Sequence, residues 1–406
     1  MAAPITISDV QTFITQPGRE RLLVVKVLTS EAGLYGLGCA TFTQRVHAVQ
    51  ALIDRHLKAF LIGRDVSRIE DIWQMARVNG YWRNGPVINN ALSGVDQALW
   101  DILGKRAGLP LHDLFGGRCR EAAAVYTHAD GQNASEVIDN VEALRAEGYR
   151  HVRVQLRLEG GGVYGGGDAQ QARPIGAQPG AYYDPRRYAR DTLGMLEALR
   201  GRLGDGVELL HDVHERLSPI EAVQFAKDVE PFKLFFLEDA LPPEQIAWFA
   251  RLRQQTSTAL AMGELFNHPF EWQEVITQRW VDFIRMHVSQ MGGITPARNV
   301  AALAAMYGVR TAWHGPADTS PIGHAANLHL ELSSPNFGIH EWCRFNERAY
   351  AIFPGTPRVK DGYLYPSDAP GIGVDFDEKL AAEFPPHDYV EEWTQARLPD
   401  GSPGLP

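Results

Sequence analysis

Cysteine, basic surplus and long apolar runs are what this sequence lacks. Only Cys39, Cys119 and Cys343 occur among 406 residues, with no close spacing. Neither a disulfide framework nor a cysteine-based zinc site is expected, and the usage fits a reducing compartment. The formal net charge is −10. No basic excess is available to neutralise phosphates, which excludes the ordinary nucleic-acid binder. An anionic small substrate is not excluded, because a metal ion and a few arginines reverse the local potential. No apolar run approaches the roughly 20 residues a membrane span needs. The opening MAAPITISDV has neither a basic n-region nor an apolar h-region. The expectation is a cytoplasmic protein with no membrane or nucleic-acid partner.

What is present is an ordinary globular composition, 45% apolar and 22% charged, in a chain long enough for two associated domains. RLLVVKVLT at 21–29, followed by Gly33, Gly36 and Gly38, reads as part of a hairpin. Helical periodicity covers 46 to about 61 and again about 91–107, where Val95, Leu99, Ile102 and Leu103 form one apolar stripe before Gly108 and Pro110. From Ala122 the pattern changes to short β-type runs alternating with longer helical stretches. Strands are predicted at 123–127, 151–156, 208–213, 234–239, 259–264, 282–288, 310–314 and 337–341. Eight strands with helical crossovers predict a parallel barrel rather than an open sheet. The fold class is therefore α/β: a (β/α)7β TIM-like barrel at 122–345, an α+β capping domain at 1–121, and a segment at 346–406 returning to that domain. One connection breaks the rhythm. Residues 157–187 are rich in Gly, Pro and Tyr (GGGVYGGGD, RPIGAQPGAYYDP) and leave the end of a barrel strand where active sites of this fold sit.

Asp212, Glu238 and Glu264 each close an apolar strand, 26 residues apart and 26 again. A single acid there could be a helix cap or a salt-bridge partner. Three converging on one barrel mouth repel, and a divalent cation is the natural compensation. An all-oxygen donor set without cysteine or a histidine cluster favours Mg²⁺ over Zn²⁺. His214, two residues beyond Asp212, should face the same way along the strand and so lie beside the metal and in the pocket, and histidine titrates near neutral pH. Arg153 and Gln155 end the second barrel strand, and Tyr164 follows in the Gly-rich loop. A guanidinium and a metal would make Tyr164 a usable base; the alternatives are a rim salt bridge for Arg153 and a plain loop position for Tyr164.

Together these residues resemble the enolase superfamily. The Asp and two Glu match its metal triad, and ALSGVDQALWDILGKRAGLPLHDLFGG resembles the signature that joins its capping domain to its barrel. HVRVQL followed by VYG, then LLHDVHERL, FLED, GELFN, HGPAD and PNFGIHEW are similar to its mannonate dehydratase subgroup. The Lys-x-Lys-like motif of the muconate-cycloisomerase and mandelate-racemase types is replaced by Arg153-x-Gln155, and the sixth strand offers Arg285 where racemases carry an aspartate.

The resemblance implies that Tyr164, assisted by Arg153, removes the proton α to the substrate carboxylate, and that His214 protonates the departing 3-hydroxyl. Asp212, Glu238 and Glu264 would bind Mg²⁺, while Gln44, His128, Arg285, His314, Asp318 and Glu341 would hold the acid sugar. The implied activity is dehydration of D-mannonate or a relative such as D-gluconate to a 2-keto-3-deoxy acid; a symmetric homo-oligomer is the general expectation for such a chain. Thr43 and Pro316 stand where efficient members carry Asn and Ala, and the ending GSPGLP lacks the aromatic finish some of them have. These departures resemble a divergent branch, related to starvation-sensing proteins, with weak or no D-mannonate activity. The alternative function is a ligand-responsive barrel with little turnover. Intact Tyr164, Arg153 and His214 favour catalysis, because a binding module needs no base or acid.

Overall fold

The structure, a computed structural model, describes residues 4–158 and 173–406. The expected base Tyr164 lies outside the described residues. The chain divides into two compact units. One comprises Met1–Ala124, Glu264–Gln273 and Arg285–Asp388; the other comprises Val125–Gly263, Glu274–Ile284 and Tyr389–Pro406.

In the first unit, β1 (Ile7–Thr15), β2 (Leu22–Thr29) and β3 (Tyr35–Cys39) form an antiparallel meander. The helix predicted over 46–61 is present with a π-helical turn at Ile53–Leu57 in its middle. The second predicted helix starts earlier than expected, at Pro86, whose fixed φ suits the first helical position, and runs to Ala107. Gly108 ends it at φ 67°. This helix lies directly on β3, and glycine is what allows the approach. A Cβ at Gly36 would stand 1.9 Å from the Ala98 carbonyl oxygen, and one at Gly38 would stand 2.0 Å from that of Gly94. Val25, Val95, Ala98, Leu99 and Ile102 are buried in the resulting core.

The barrel strands are β4 (Ala123–Gly131), β5 (His151–Leu156), β7 (Glu208–Asp212), β8 (Phe236–Glu238), β9 (Leu260–Met262), β10 (Phe283–Met286), β11 (Arg310–Trp313) and β12 (Phe337–Glu341), with the two-residue β6 (Ala181–Tyr182) between β5 and β7. Their order is β4-β5-β7-β8-β9-β10-β11-β12, and β12 also pairs with β4, which closes eight parallel strands into a barrel. The expected strands at 151–156 and 337–341 are found as expected. Several others end sooner, because polar and glycine residues turn the chain out of the ladder. β9 stops at Met262, Gly263 takes φ 135°, and Glu264 therefore stands two residues past its strand rather than closing it.

The final segment divides. β13 (Val359–Lys360) and β14 (Tyr363–Leu364) form a hairpin, and β14 pairs with Ala123 and Ala124 at the start of β4. Farther on, the Ala381 carbonyl accepts from Thr15 Oγ1 at 3.0 Å, and the Phe384 carbonyl accepts from Gln16 N–H at 2.8 Å. Residues 389–406 belong instead to the second unit, where β15 (Ala396–Arg397) pairs in parallel with β6. No helix of the described residues is long and apolar enough to cross a membrane.

Candidate active site

The second unit carries a cluster centred on Asp212. Side chains alternate along β7, so His211 and Asp212 point to opposite faces. His211 is turned toward Tyr188, whose hydroxyl lies 2.6 Å from its Nε2, and its Nδ1 lies 2.8 Å from the Val154 carbonyl oxygen. Burial pushes the His211 pKa down to about 4, so the ring is neutral. Nδ1–H then donates to Val154, and Nε2 accepts from Tyr188.

On the other face, Asp212 is fully buried and takes the Arg153 guanidinium at 3.1 Å. Burial opposes its charge, but His214, Arg153 and Arg216 outweigh that and hold its carboxyl below the usual range. Asp212 and Glu238 are register partners at the ends of β7 and β8, so their side chains leave the sheet on the same face. Arg153 also stands 3.4 Å from His128 Nδ1, and Gln155 donates to the Asp212 carbonyl at 3.4 Å. His128 itself is exposed.

His214 does reach Asp212, but not by strand alternation. β7 has ended, and the backbone turns left-handed at two consecutive non-glycine residues, His214 (φ 53°) and Glu215 (φ 62°). Such conformations cost roughly 1–2 kcal/mol each and persist only where the surroundings hold them. Here His214 N–H donates to Asp212 Oδ1 at 2.8 Å, and Glu215 N–H donates to the Asp239 carbonyl at 2.9 Å. The His214 Nδ1 lies 2.6 Å from the Pro406 main-chain oxygen, and Trp393 meets the ring edge-on at 6.1 Å. Burial brings the His214 pKa down to about 4, against the opposing pull of Asp212. Glu215, which the sequence reading passed over, is buried, and burial next to Glu244 and Asp212 raises its pKa to about 8.

The first unit carries a second cluster, in which two carboxylates share a cation and a histidine. Arg285 is wholly buried, 2.6 Å from Glu341 and 3.6 Å from Glu264. His314 Nε2 lies 3.3 Å from Glu264 and 3.6 Å from Glu341, and Gly315 N–H donates to Glu341 at 3.2 Å. Gly315 is required here, since a Cβ would stand 2.2 Å from the Glu341 carbonyl oxygen. Behind Glu341 on β12, His340 points to the opposite face, bonded to Glu331 and 2.8 Å from His324. Asp318 has one buried carboxylate oxygen with no hydrogen-bond partner among the described residues. Burial, then the charges of Glu20 and Glu341, lift its pKa to about 7.

His287 is the residue the sequence reading missed. Its Nδ1 lies 2.7 Å from that of His314, and burial pushes its pKa down to about 4. A neutral His287 thus gives the seventh-strand histidine a partner from just beyond the sixth strand. Its place two residues beyond Arg285, in IRMHV, was the available signal. Gln44 is half-buried in the turn Thr43–Arg45. Thr43 beside it is buried, its hydroxyl accepting from Arg21 N–H at 2.9 Å.

Comparison with known proteins bears on both units. Residues 1–116 match the mandelate racemase / muconate lactonizing enzyme N-terminal domain, and 136–380 match the enolase C-terminal domain-like family. A D-galactonate dehydratase family member from Enterococcus gallinarum is 54% identical over 407 residues, covering 100% of both chains. Another from Pantoea ananatis is 51% identical and covers 98% of each. A crystal structure of an enolase from Pantoea ananatis with bound D-gluconate and Mg is 51% identical, with a TM-score of 0.96 over 99% of this chain and 100% of that one.

Proposed function

The chain belongs to the enolase superfamily and to its D-galactonate dehydratase family, and from that premise we propose that it is a Mg²⁺-dependent acid-sugar dehydratase, a hydro-lyase acting on D-gluconate or a close relative. The observation that carries the reading is Asp212, a buried carboxylate kept ionised between Arg153 and His214. Asp212, Glu238 and Glu264 would hold the Mg²⁺, since carboxylate oxygens suit a hard divalent cation. When bound there, the cation supplies positive charge for a substrate carboxylate that gains negative charge during proton removal.

The remaining steps fall to this chain's side chains. Tyr164, as phenolate and assisted by Arg153, takes the proton from the carbon α to the carboxylate. The electron pair left behind expels the 3-hydroxyl as its C–O bond breaks. His214, once Nε2 has taken up a proton from solvent, delivers it to that oxygen, and water departs. The enol product tautomerises to the 2-keto-3-deoxy acid. Arg285, His314, Glu341 and His128 position the sugar. Asp318, with a pKa near neutrality, can donate to a hydroxyl as well as accept from one. Gln44 takes the capping-domain contact, since the Thr43 hydroxyl already accepts from the Arg21 backbone. The reading includes a cytoplasmic, symmetric homo-oligomer.

The test is a screen of purified protein with Mg²⁺ against acid sugars, with detection of 2-keto-3-deoxy products. D-Gluconate turnover is expected, and silence across the whole library would reject the dehydratase reading. D-Mannonate turnover is expected to be weak, because Pro316 fixes the backbone two residues beyond His314 and a misplacement near 1 Å costs on the order of 100-fold. A kcat/KM for D-mannonate of about 10⁴ M⁻¹s⁻¹ or more would overturn that part.

A further inference from the structure

The hydrogen bond from His214 to the main-chain oxygen of Pro406 brings the last residues of the sequence to the acid of the reaction. That segment is fastened along its length. Arg397 in β15 is the register partner of Tyr182 in β6, and its Nε donates to the Pro179 carbonyl at 2.9 Å. The chain then turns back on itself: Gly401 N–H donates to the Leu398 carbonyl, and Gly404 N–H to the Ala396 carbonyl, each at 2.9 Å. Gly404 lies flat on Tyr183, where a Cβ would approach the ring to 3.0 Å, and the Leu405 backbone is hydrogen-bonded to the Tyr183 hydroxyl. Trp393, at the other end of the segment, closes on the His214 ring.

We propose that residues 393–406 are a positioning element of the active site, in which the Pro406 main-chain oxygen holds the His214 Nδ1–H so that only Nε2 exchanges a proton with substrate. It rests on the reading of His214 as the acid. The physical argument is one of tautomers. A main-chain oxygen, in a peptide carbonyl or an ionised terminal carboxylate, can only accept, so Nδ1 must be the donor in both the neutral and the charged ring. Nε2 is then the single nitrogen whose proton comes and goes, and the ring cannot rotate away without losing that bond and the Trp393 contact. Orienting the other nitrogen of a working histidine is a task for which the loss of a partner costs about 10- to 100-fold in comparable sites. Here the orienting group is main-chain, so no side-chain pattern would reveal it.

The test compares the full chain with a variant lacking Leu405 and Pro406, and with Gly404→Val, which forces the segment off Tyr183 without shortening it. Nitrogen-15 NMR of histidine-labelled protein, with His214→Gln to assign the signals, reads the tautomer directly. The full chain should hold His214 with Nδ1 protonated, and both variants should shift it toward the Nε2–H form. With an acid sugar in D₂O, exchange of the α-hydrogen by Tyr164 should persist in both variants. Dehydration should fall on the order of 10- to 100-fold. An unchanged tautomer would overturn the proposal, and so would exchange and dehydration falling together. If the full chain neither exchanges nor dehydrates any acid sugar, it is the dehydratase reading that fails, and the NMR result alone decides the role of Pro406.

Discussion

The cluster around Asp212 and the cluster around Arg285 use the same residue types to opposite effect. Around Asp212 one carboxylate accepts from a guanidinium and from the main-chain N–H of His214, each by a separate hydrogen bond. The histidine sits on a backbone turn that is held rather than relaxed. Around Arg285 the proportions reverse, with Glu341 and Glu264 drawing on one guanidinium and one imidazole. A carboxylate with surplus donors stays ionised and suits metal ligation. A cation shared between acids, with Asp318 nearby in sequence and its pKa raised by burial to about 7, suits holding a polyhydroxy acid, whose hydroxyls both give and accept hydrogen bonds. In the proposed function the first cluster moves protons and charge, and the second, which shares Glu264 with the metal-binding set, holds the substrate.

The sharpest way to break this comparison is at the metal. Glu238→Gln removes a charged ligand and should abolish most Mg²⁺ affinity, with dehydration falling on the order of 10³-fold, since loss of one preorganised charge-stabilising group already costs 10² to 10³. Isothermal titration with Mg²⁺ checks it, and unchanged binding would reject the ligand assignment. Next in size is the contrast between the two arginines. Arg285→Met strands Glu341 in a buried site and should destabilise the protein by about 3–5 kcal/mol. Arg153→Met leaves Asp212 with His214 and Arg216 nearby, so its loss of stability should be smaller while its loss of activity is larger. Urea denaturation of the two variants, each paired with its activity, decides whether the clusters divide the work this way.

The smallest effect is a pH dependence, measured without divalent cation. Glu215 and Asp318 have folded pKa values raised to about 8 and about 7. A carboxyl whose pKa is raised on folding contributes its stability below the unfolded value, near 4, and loses it as pH climbs through the folded value. Stability should therefore fall between pH 4 and 8. Asp318→Asn should flatten the part of that slope up to about pH 7, and Glu215→Gln the part up to about pH 8. Thermal melts of the two variants across this range would show it, and parallel curves for all three proteins would remove both groups as the cause.

Much of this was legible in the chain itself. Strand periodicity, the 26-residue spacing of Asp212, Glu238 and Glu264, and the glycines that let the helix Pro86–Ala107 lie on β3 are local facts, set by side-chain size, hydropathy and backbone freedom. They determine a closed parallel barrel and name its acids. What the tertiary structure decided was how polar groups find partners across long stretches of sequence. His287 meets His314, Arg21 occupies Thr43, and Pro406 reaches His214. None of these pairs shares a periodicity, and two of the three involve a main-chain atom, which every residue carries and no pattern can single out. The contact of His214 with Asp212 likewise rests on something invisible in sequence, a left-handed turn at two residues that would avoid it in isolation. Hydrogen bonds form wherever the closed fold leaves donor and acceptor within reach, and that reach is a property of the closed barrel rather than of any segment in it.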